Sequence, residues 1–264
     1  MDQVPFSADI EVASMHFLRN AAMVLAIAAA GTAVCATPPA SAVVGGTEVS
    51  ATAYPWLGAI GSPAFPLRPG GQFCAGALIA PDKVLTAAHC VVFAEPVPHA
   101  LTVTFGRADL TRRDGTSVGV KAIGVDPGFR ISTFDGDLSY HHDVAVLTLQ
   151  TKLTLPTVRV VTPRGSTGTV VGWGATSGAD DSNVRLRTVT VPLAPAASCA
   201  AAYGAEFDSA RDFCAGSTTA DTAEFDSGGP LLVDGAVAGI TSWGKGVAQA
   251  GFPGIYAGIP SIGR

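Results

Sequence analysis

The chain has 264 residues, 48% of them apolar and 14% charged, and 16 basic against 21 acidic side chains give a net charge of −5. That apolar share excludes wholesale disorder, and the lack of a basic stripe excludes a broad nucleic-acid surface. Thirty-one Gly and 18 Pro favour many tight turns over long helices, and the five Cys form no C-x-x-C pair, which excludes a zinc ribbon or a thioredoxin-type redox motif.

The first segment reads as a leader. Arg19 precedes the uncharged run Ala21–Ala30, and Thr37-Pro-Pro39 and Ala40-Ser41-Ala42 follow. A basic flank, an apolar core and an A-x-A site are the grammar of a secretory signal. Ala21–Ala36 is Ala-rich, broken by Gly31 and short for a membrane span. Met15 reads as the start of the signal proper, and Thr32-Ala33-Val34 before Cys35 fits a lipoprotein signal poorly. Residues 1–42 are therefore expected to be a signal peptide, with a short propeptide if cleavage falls after Ala36 rather than Ala42. The protein is expected to be secreted, extracellular and free of the membrane once the signal is gone. Removing residues 1–42 leaves a net charge of −3 and four Cys. An even count in an oxidising compartment reads as two disulfides.

Downstream, apolar β-branched stretches recur between Gly, Pro, Asp and Asn. In chain order they are Lys83–Thr86, Leu101–Phe105, Val144–Leu149, Thr169–Trp173, Leu186–Val191 and Ala236–Ser242. Many short strands separated by turn signals predict an all-β sandwich or barrel. Helical periodicity is weak except around Ala196–Tyr203. The remaining 222 residues suffice for two barrels, and Leu155-Pro156-Thr157 is the expected crossover between halves 43–155 and 156–264.

Three polar residues stand in unusual company. His89 lies in Leu85-Thr-Ala-Ala-His-Cys90, Asp143 precedes the strand pattern Val144–Leu149, and Ser227 lies in Asp226-Ser-Gly-Gly-Pro230. Singly, each has a bland reading: an interior His, a turn Asp, a turn Ser. Together, in this order, they suggest nucleophilic catalysis. A Ser hydroxyl is a poor nucleophile at neutral pH and needs a base within hydrogen-bond reach, and an imidazole titrates in that range.

The chain resembles the trypsin-like, chymotrypsin-fold serine proteases of bacterial secreted type. The resemblance rests on Val43-Val-Gly-Gly46, Phe73-Cys-Ala-Gly-Ala77 with Thr86-Ala-Ala-His-Cys90, and His142-Asp-Val-Ala-Val-Leu147. It continues through Gly172-Trp-Gly174, Phe213-Cys-Ala-Gly216, Asp226-Ser-Gly-Gly-Pro230, Ser242-Trp-Gly244 and Pro253-Gly-Ile-Tyr256. It implies two packed six-stranded antiparallel Greek-key barrels with the active site in the cleft between them. It implies a catalytic triad of His89, Asp143 and Ser227, and peptide hydrolysis through an acyl-enzyme without cofactor or metal. The backbone N–H groups of Phe225 and Ser227 would form the oxyanion hole. Asp221, six residues before Ser227, would sit at the base of a pocket for Arg or Lys, with Gly244 and Gly254 as its open walls. Ser242, Trp243 and Gly244 would pair with the substrate backbone. A freed Val43 amine would pair with Asp226. The implied disulfides are Cys74–Cys90 and Cys199–Cys214. The expected partners are polypeptide substrates and protein protease inhibitors, met by a monomer.

Three departures from the family pattern carry expectations. The third bridge positions read Ala223 and Val247, so both halves are missing together. Phe225 stands where the family has Gly, predicting a narrowed protease or, alternatively, a catalytically weak or silent binding module. Only eight residues follow Tyr256, where the family closes with a C-terminal helix, predicting lowered stability.

Overall fold

The computed structural model describes residues 43–259, so the expected leader and the last five residues lie outside the described residues. The described chain is built mainly of strands, with one eight-residue helix. No described helix is long and apolar enough to cross a membrane. The strands are β1 (Thr47–Glu48), β2 (Leu57–Gly61), β3 (Gln72–Ala80), β4 (Lys83–Thr86), β5 (Thr102–Phe105), β6 (Thr116–Val125), β7 (Arg130–Phe134), β8 (Asp137–His141) and β9 (Ala145–Leu149). After a connection containing Leu155-Pro156-Thr157 come β10 (Thr167–Gly172), β11 (Arg187–Pro192), helix α1 (Ala196–Tyr203), β12 (Asp212–Ala215), β13 (Pro230–Val233), β14 (Ala236–Trp243) and β15 (Gly254–Gly258).

β2-β3-β4-β9-β6-β5 close into an antiparallel barrel. The period of two that predicts a half-buried strand is visible in β5, where Val103 and Phe105 point inward, and in β9, where Ala145, Leu147 and Leu149 do. Leu57, Ile60, Leu78 and Leu85 join them in the core. Burying one such side chain contributes about 1.5–3 kcal/mol.

The second sheet runs β1-β11-β10-β13-β14-β15-β12. Leu193, which continues β11, bridges back to Ala215 of β12, so six of these strands return on themselves and β1 is added outside. Val170, Val191, Leu231, Ala238 and Tyr256 fill this second core. A third cluster joins Tyr203 of α1 to Trp243 and Ile255 around the bonded Cys199. The two expected barrels are therefore present, the second closed by a bridge rather than a full ladder.

Two disulfides are present, Cys74–Cys90 and Cys199–Cys214. The first ties β3 to the segment after β4. The second ties α1 to β12.

Several strands lie outside the predicted stretches, and the most consequential for the cleft form a hairpin. Arg130–His141 folds as the β7–β8 hairpin. Its tip reaches toward the second barrel: Asp135 pairs with Lys245, and Phe134 packs its ring against Tyr203, Trp243 and Phe252. The sequence Arg-Ile-Ser-Thr-Phe-Asp-Gly-Asp-Leu-Ser-Tyr-His holds the Asp-Gly turn signal at Asp135-Gly136 that could have found it.

Candidate active site

Strand pairing brings the first two site residues together. Thr86 of β4 lies opposite Ala145 of β9, so the segment just beyond one strand meets the segment just before the other. His89 and Asp143 occupy those segments. The His89 Nδ1 lies 2.6 Å from Asp143 Oδ2, and Asp143 Oδ1 accepts the His89 backbone N–H at 2.8 Å. Asp143 is wholly buried, whereas the His89 side chain keeps 13% exposure. Because the carboxylate can only accept, Nδ1 carries the ring proton and Nε2 is left to face other chemistry. Ser242 Oγ also donates to Asp143 Oδ2, at 2.5 Å. Ser242 falls at a register shift of the β14–β15 pair, the irregularity that re-aims a side chain. The Tyr140 ring stacks on His89 at 4.4 Å.

Ser227 comes from the turn before β13. Its carbonyl accepts the Ala75 N–H from the first barrel at 2.9 Å. Gly228 follows with φ +74, and a Cβ there would run into the Ala75 carbonyl and the Thr86 hydroxyl. Only glycine lets this turn approach the first barrel so closely. Among the described residues Ser227 Oγ makes no hydrogen bond to His89, an openness common in unliganded sites. The backbone N–H groups of Phe225 and Ser227 likewise find no acceptor among the described residues.

His89, Phe225 and Ser227 line one cleft of about 550 Å³. Asp221, Ser242, Trp243, Gly244 and Gly254 line the same cleft, so the sequence-derived residues converge there. Ala223 and Val247, where a third bridge was expected to be missing, also line it. Asp221 is buried, and its carboxylate accepts the N–H groups of Thr222 and Ala248, each at 2.9 Å. Burial pushes its pKa up to about 6 against those two donors. A Cβ on Gly254 would sit 3.1 Å from the Asp221 carboxylate, so a side chain there would crowd it.

Asp226 is also buried. Its carboxylate accepts from the N–H of Gly174 at 2.8 Å and of Ala223 at 3.1 Å. Burial pushes its pKa up to about 7, against those two donors and the nearby Arg68 charge. Val43 is completely buried, and the Val44 carbonyl accepts the Asp221 N–H.

Cys74, His89 and Cys90 come within metal-ligand distance of one another, but both sulfurs are in a disulfide and offer no thiolate.

A sequence model of the family Trypsin matches residues 43–262. The chain belongs to the trypsin family. It is similar to a trypsin of Saccharopolyspora erythraea, 34% identical over 82% of this chain and 93% of the relative. It is 30% identical to a trypsin of Phaedon cochleariae, over 89% of this chain and 90% of the relative. It is also 30% identical to a vitellin-degrading protease of Bombyx mori, over 83% and 82%.

Phe225, the expected departure from the family pattern, has partners on both its ring and its carbonyl. Phe225 adopts φ +72. For a bulky residue, such a backbone costs about 1–3 kcal/mol. The Phe225 ring lies under the Arg68 guanidinium at 4.1 Å, and its carbonyl accepts Gln72 Nε2 at 3.1 Å. A desolvated cation–π contact contributes up to about 2 kcal/mol, enough to offset much of that strain. Sequence reasoning missed Arg68, Gln72 and Tyr140. None stands in a motif, and each matters only through neighbours far away in the chain.

Proposed function

We propose that the protein is a secreted serine endopeptidase that cleaves after Arg and Lys. The observation that carries this reading is the His89–Asp143 pair at 2.6 Å in the cleft lined by Ser227 and by the buried Asp221.

In this reading His89 Nε2 takes the proton of Ser227 Oγ as that oxygen bonds to the scissile carbonyl carbon. The carbonyl oxygen becomes an oxyanion held by the Phe225 and Ser227 N–H groups. Asp143 keeps the imidazole in its tautomer and stabilises the imidazolium. His89 then gives the proton to the leaving amine as the C–N bond breaks. Water, deprotonated by the same imidazole, attacks the acyl-enzyme, and its oxygen enters the new carboxylate while Ser227 recovers its proton. The Asp221 carboxylate meets the guanidinium or ammonium of the residue before the cut, a charge-assisted contact. Ser242, Trp243 and Gly244 pair with the substrate backbone. No cofactor or metal takes part.

A freed Val43 amine paired with Asp226 would supply a positive charge at contact distance, which this buried carboxylate lacks among the described residues. Signal cleavage after Ala42, or removal of a short propeptide after cleavage at Ala36, would create it.

A second reading, a catalytically weak or silent binding module, is favoured by one observation: Phe225, whose N–H the first reading assigns to the oxyanion, is bulky and adopts φ +72.

The test uses protein beginning at Val43 and matched small Arg, Lys and Phe substrates, with Ser227→Ala as control. Turnover of Arg and Lys that the control abolishes is expected. Folded protein that labels neither with a phosphonylating reagent nor hydrolyses any substrate would favour the binding module.

A further inference from the structure

Arg68 is a buried cation with no assigned task. It precedes the Pro69–Gly71 turn between β2 and β3 and is only 8% exposed. Its Nε donates to Gln72 Oε1 at 2.8 Å. One terminal nitrogen donates to the Asp181 carbonyl at 2.8 Å. The other donates to the carbonyls of Trp173 and Asn183, at 2.8 and 2.7 Å. Its planar face covers the Phe225 ring. Gln72, fixed by Arg68, turns its Nε2 to the carbonyls of Cys74 and Phe225. Apart from the Cys74 carbonyl, these contacts converge on Phe225 or on the 173–183 segment beside Asp226.

That convergence answers a problem the sequence poses. Glycine can rest at positive φ, whereas phenylalanine tends to leave it by rotating the peptide. Rotation would carry the Phe225 N–H away from the cleft. That N–H shares its peptide unit with the Glu224 carbonyl, which accepts the Ala175 N–H at 2.8 Å, and Arg68 holds the nearby Trp173 carbonyl of the same segment. With the Phe225 ring and its own carbonyl held as well, the rotation is opposed from both sides of the residue.

We propose that Arg68 is a positioning residue for catalysis, acting with Gln72 to lock Phe225 in the orientation that presents its N–H to the oxyanion. The inference rests on the protease reading above. The lock acts on the transition state, because only there does the carbonyl oxygen carry the charge that the N–H receives. It has little bearing on ground-state occupancy of the Asp221 pocket.

The test is a double-mutant cycle read by three quantities. These are kcat on a small Arg ester, Ki for a peptide arginine aldehyde whose adduct needs the oxyanion donors, and Ki for a simple benzamidine that does not. Arg68→Gln is expected to lower kcat about tenfold or more and to weaken the aldehyde in parallel, the loss of one whole donor being worth roughly 10²–10³. The benzamidine Ki should stay within about twofold. In a Phe225→Gly background, where no strained side chain needs holding, the same Arg68→Gln change should cost less than about threefold. Equal costs in both backgrounds, or benzamidine weakening alongside the aldehyde, overturn the proposal. If Arg68→Gln fails to fold, Phe225→Leu decides. It leaves Arg68 and Gln72 in place but removes the ring that is held, so kcat should fall below that of both the unsubstituted enzyme and the Phe225→Gly variant. A Leu variant as fast as the unsubstituted enzyme overturns the lock. Unsubstituted protein that hydrolyses nothing sinks the protease reading itself, whereas active protein with additive costs sinks only this inference.

Discussion

The Ser242 hydroxyl donates to Asp143 Oδ2 at 2.5 Å, reaching from the second barrel to a carboxylate of the first. The same oxygen holds His89 Nδ1, so the imidazole is oriented by a carboxylate that is itself tied across the cleft. Asp143→Asn should lower kcat by about 10⁴, because an amide nitrogen facing Nδ1 favours the wrong tautomer. Ser242→Ala removes one hydrogen bond and leaves the tautomer alone, so it should cost about tenfold or less. Steady-state kinetics on an Arg ester would check the order, and a Ser242 effect as large as that at Asp143 would contradict it.

Asp221 is the specificity prediction. Asp221→Ser should cut kcat/KM for Arg and Lys substrates by roughly 10²–10³, since it deletes one side of a desolvated charge pair. Matched Phe substrates should change little. Profiling the residue before the cut would reveal a retained basic preference, which would move the pocket elsewhere.

The raised pKa of Asp221, about 6 in the free protein, gives a pH dependence with a definite sign. On the proposed reading cationic benzamidine binds the ionised carboxylate, so its affinity should be full above about pH 7 and fall as pH drops through 6. The Asp221→Asn protein should lack that limb. Inhibition constants measured on either side of that pKa would test it, and identical profiles in both proteins would exclude Asp221 as the titrating group.

Asp226 predicts how an uncut N-terminus affects stability. Its pKa is raised to about 7 by burial, so the folded state favours the protonated form. Its contribution is therefore most favourable below the unfolded carboxylate pKa, near about 4, and is lost as pH rises to about 7. The melting temperature of protein extended upstream of Val43 should fall across that window relative to Asp226→Asn. Protein beginning at Val43 should lose this penalty if, as proposed, its amine pairs with the ionised carboxylate. Parallel melting curves for the extended protein and its Asn variant would contradict the assignment.

Cys199–Cys214 closes a loop between residues 15 apart in sequence. Replacing both by Ala should destabilise the protein by about 3 kcal/mol, a fall of roughly 6–12 °C in Tm for a domain of this size. Calorimetry would check it, and an unchanged Tm would mean that α1 is held by the Tyr203 packing alone.

Much of the strand framework was legible in the sequence. Lys83–Thr86 forms β4 with the bounds expected, and Ala196–Tyr203 is the helix. β5, β9, β10, β11 and β14 shift by only one or two residues from their patterns. These strands are half or wholly buried, so their inward positions must be apolar and the pattern is written locally. The β7–β8 hairpin escaped because Ile131 and Leu138 remain exposed and its apolar residues do not alternate against a core.

By itself, the sequence determined which residues to single out as candidates for the chemistry. His89, Asp143, Ser227 and Asp221 stand in short motifs because the backbone around each must make a specific turn, and turns are encoded by adjacent residues. The two disulfide pairs followed from the family resemblance of those same motifs. Tertiary structure decided what holds Phe225. Arg68 and Gln72 lie far upstream of it, Gln72 by 153 residues, and a lone Arg beside Pro69 looks like surface. Their role arises because a buried guanidinium takes whatever carbonyls and rings the fold packs around it, and no local pattern specifies which those are.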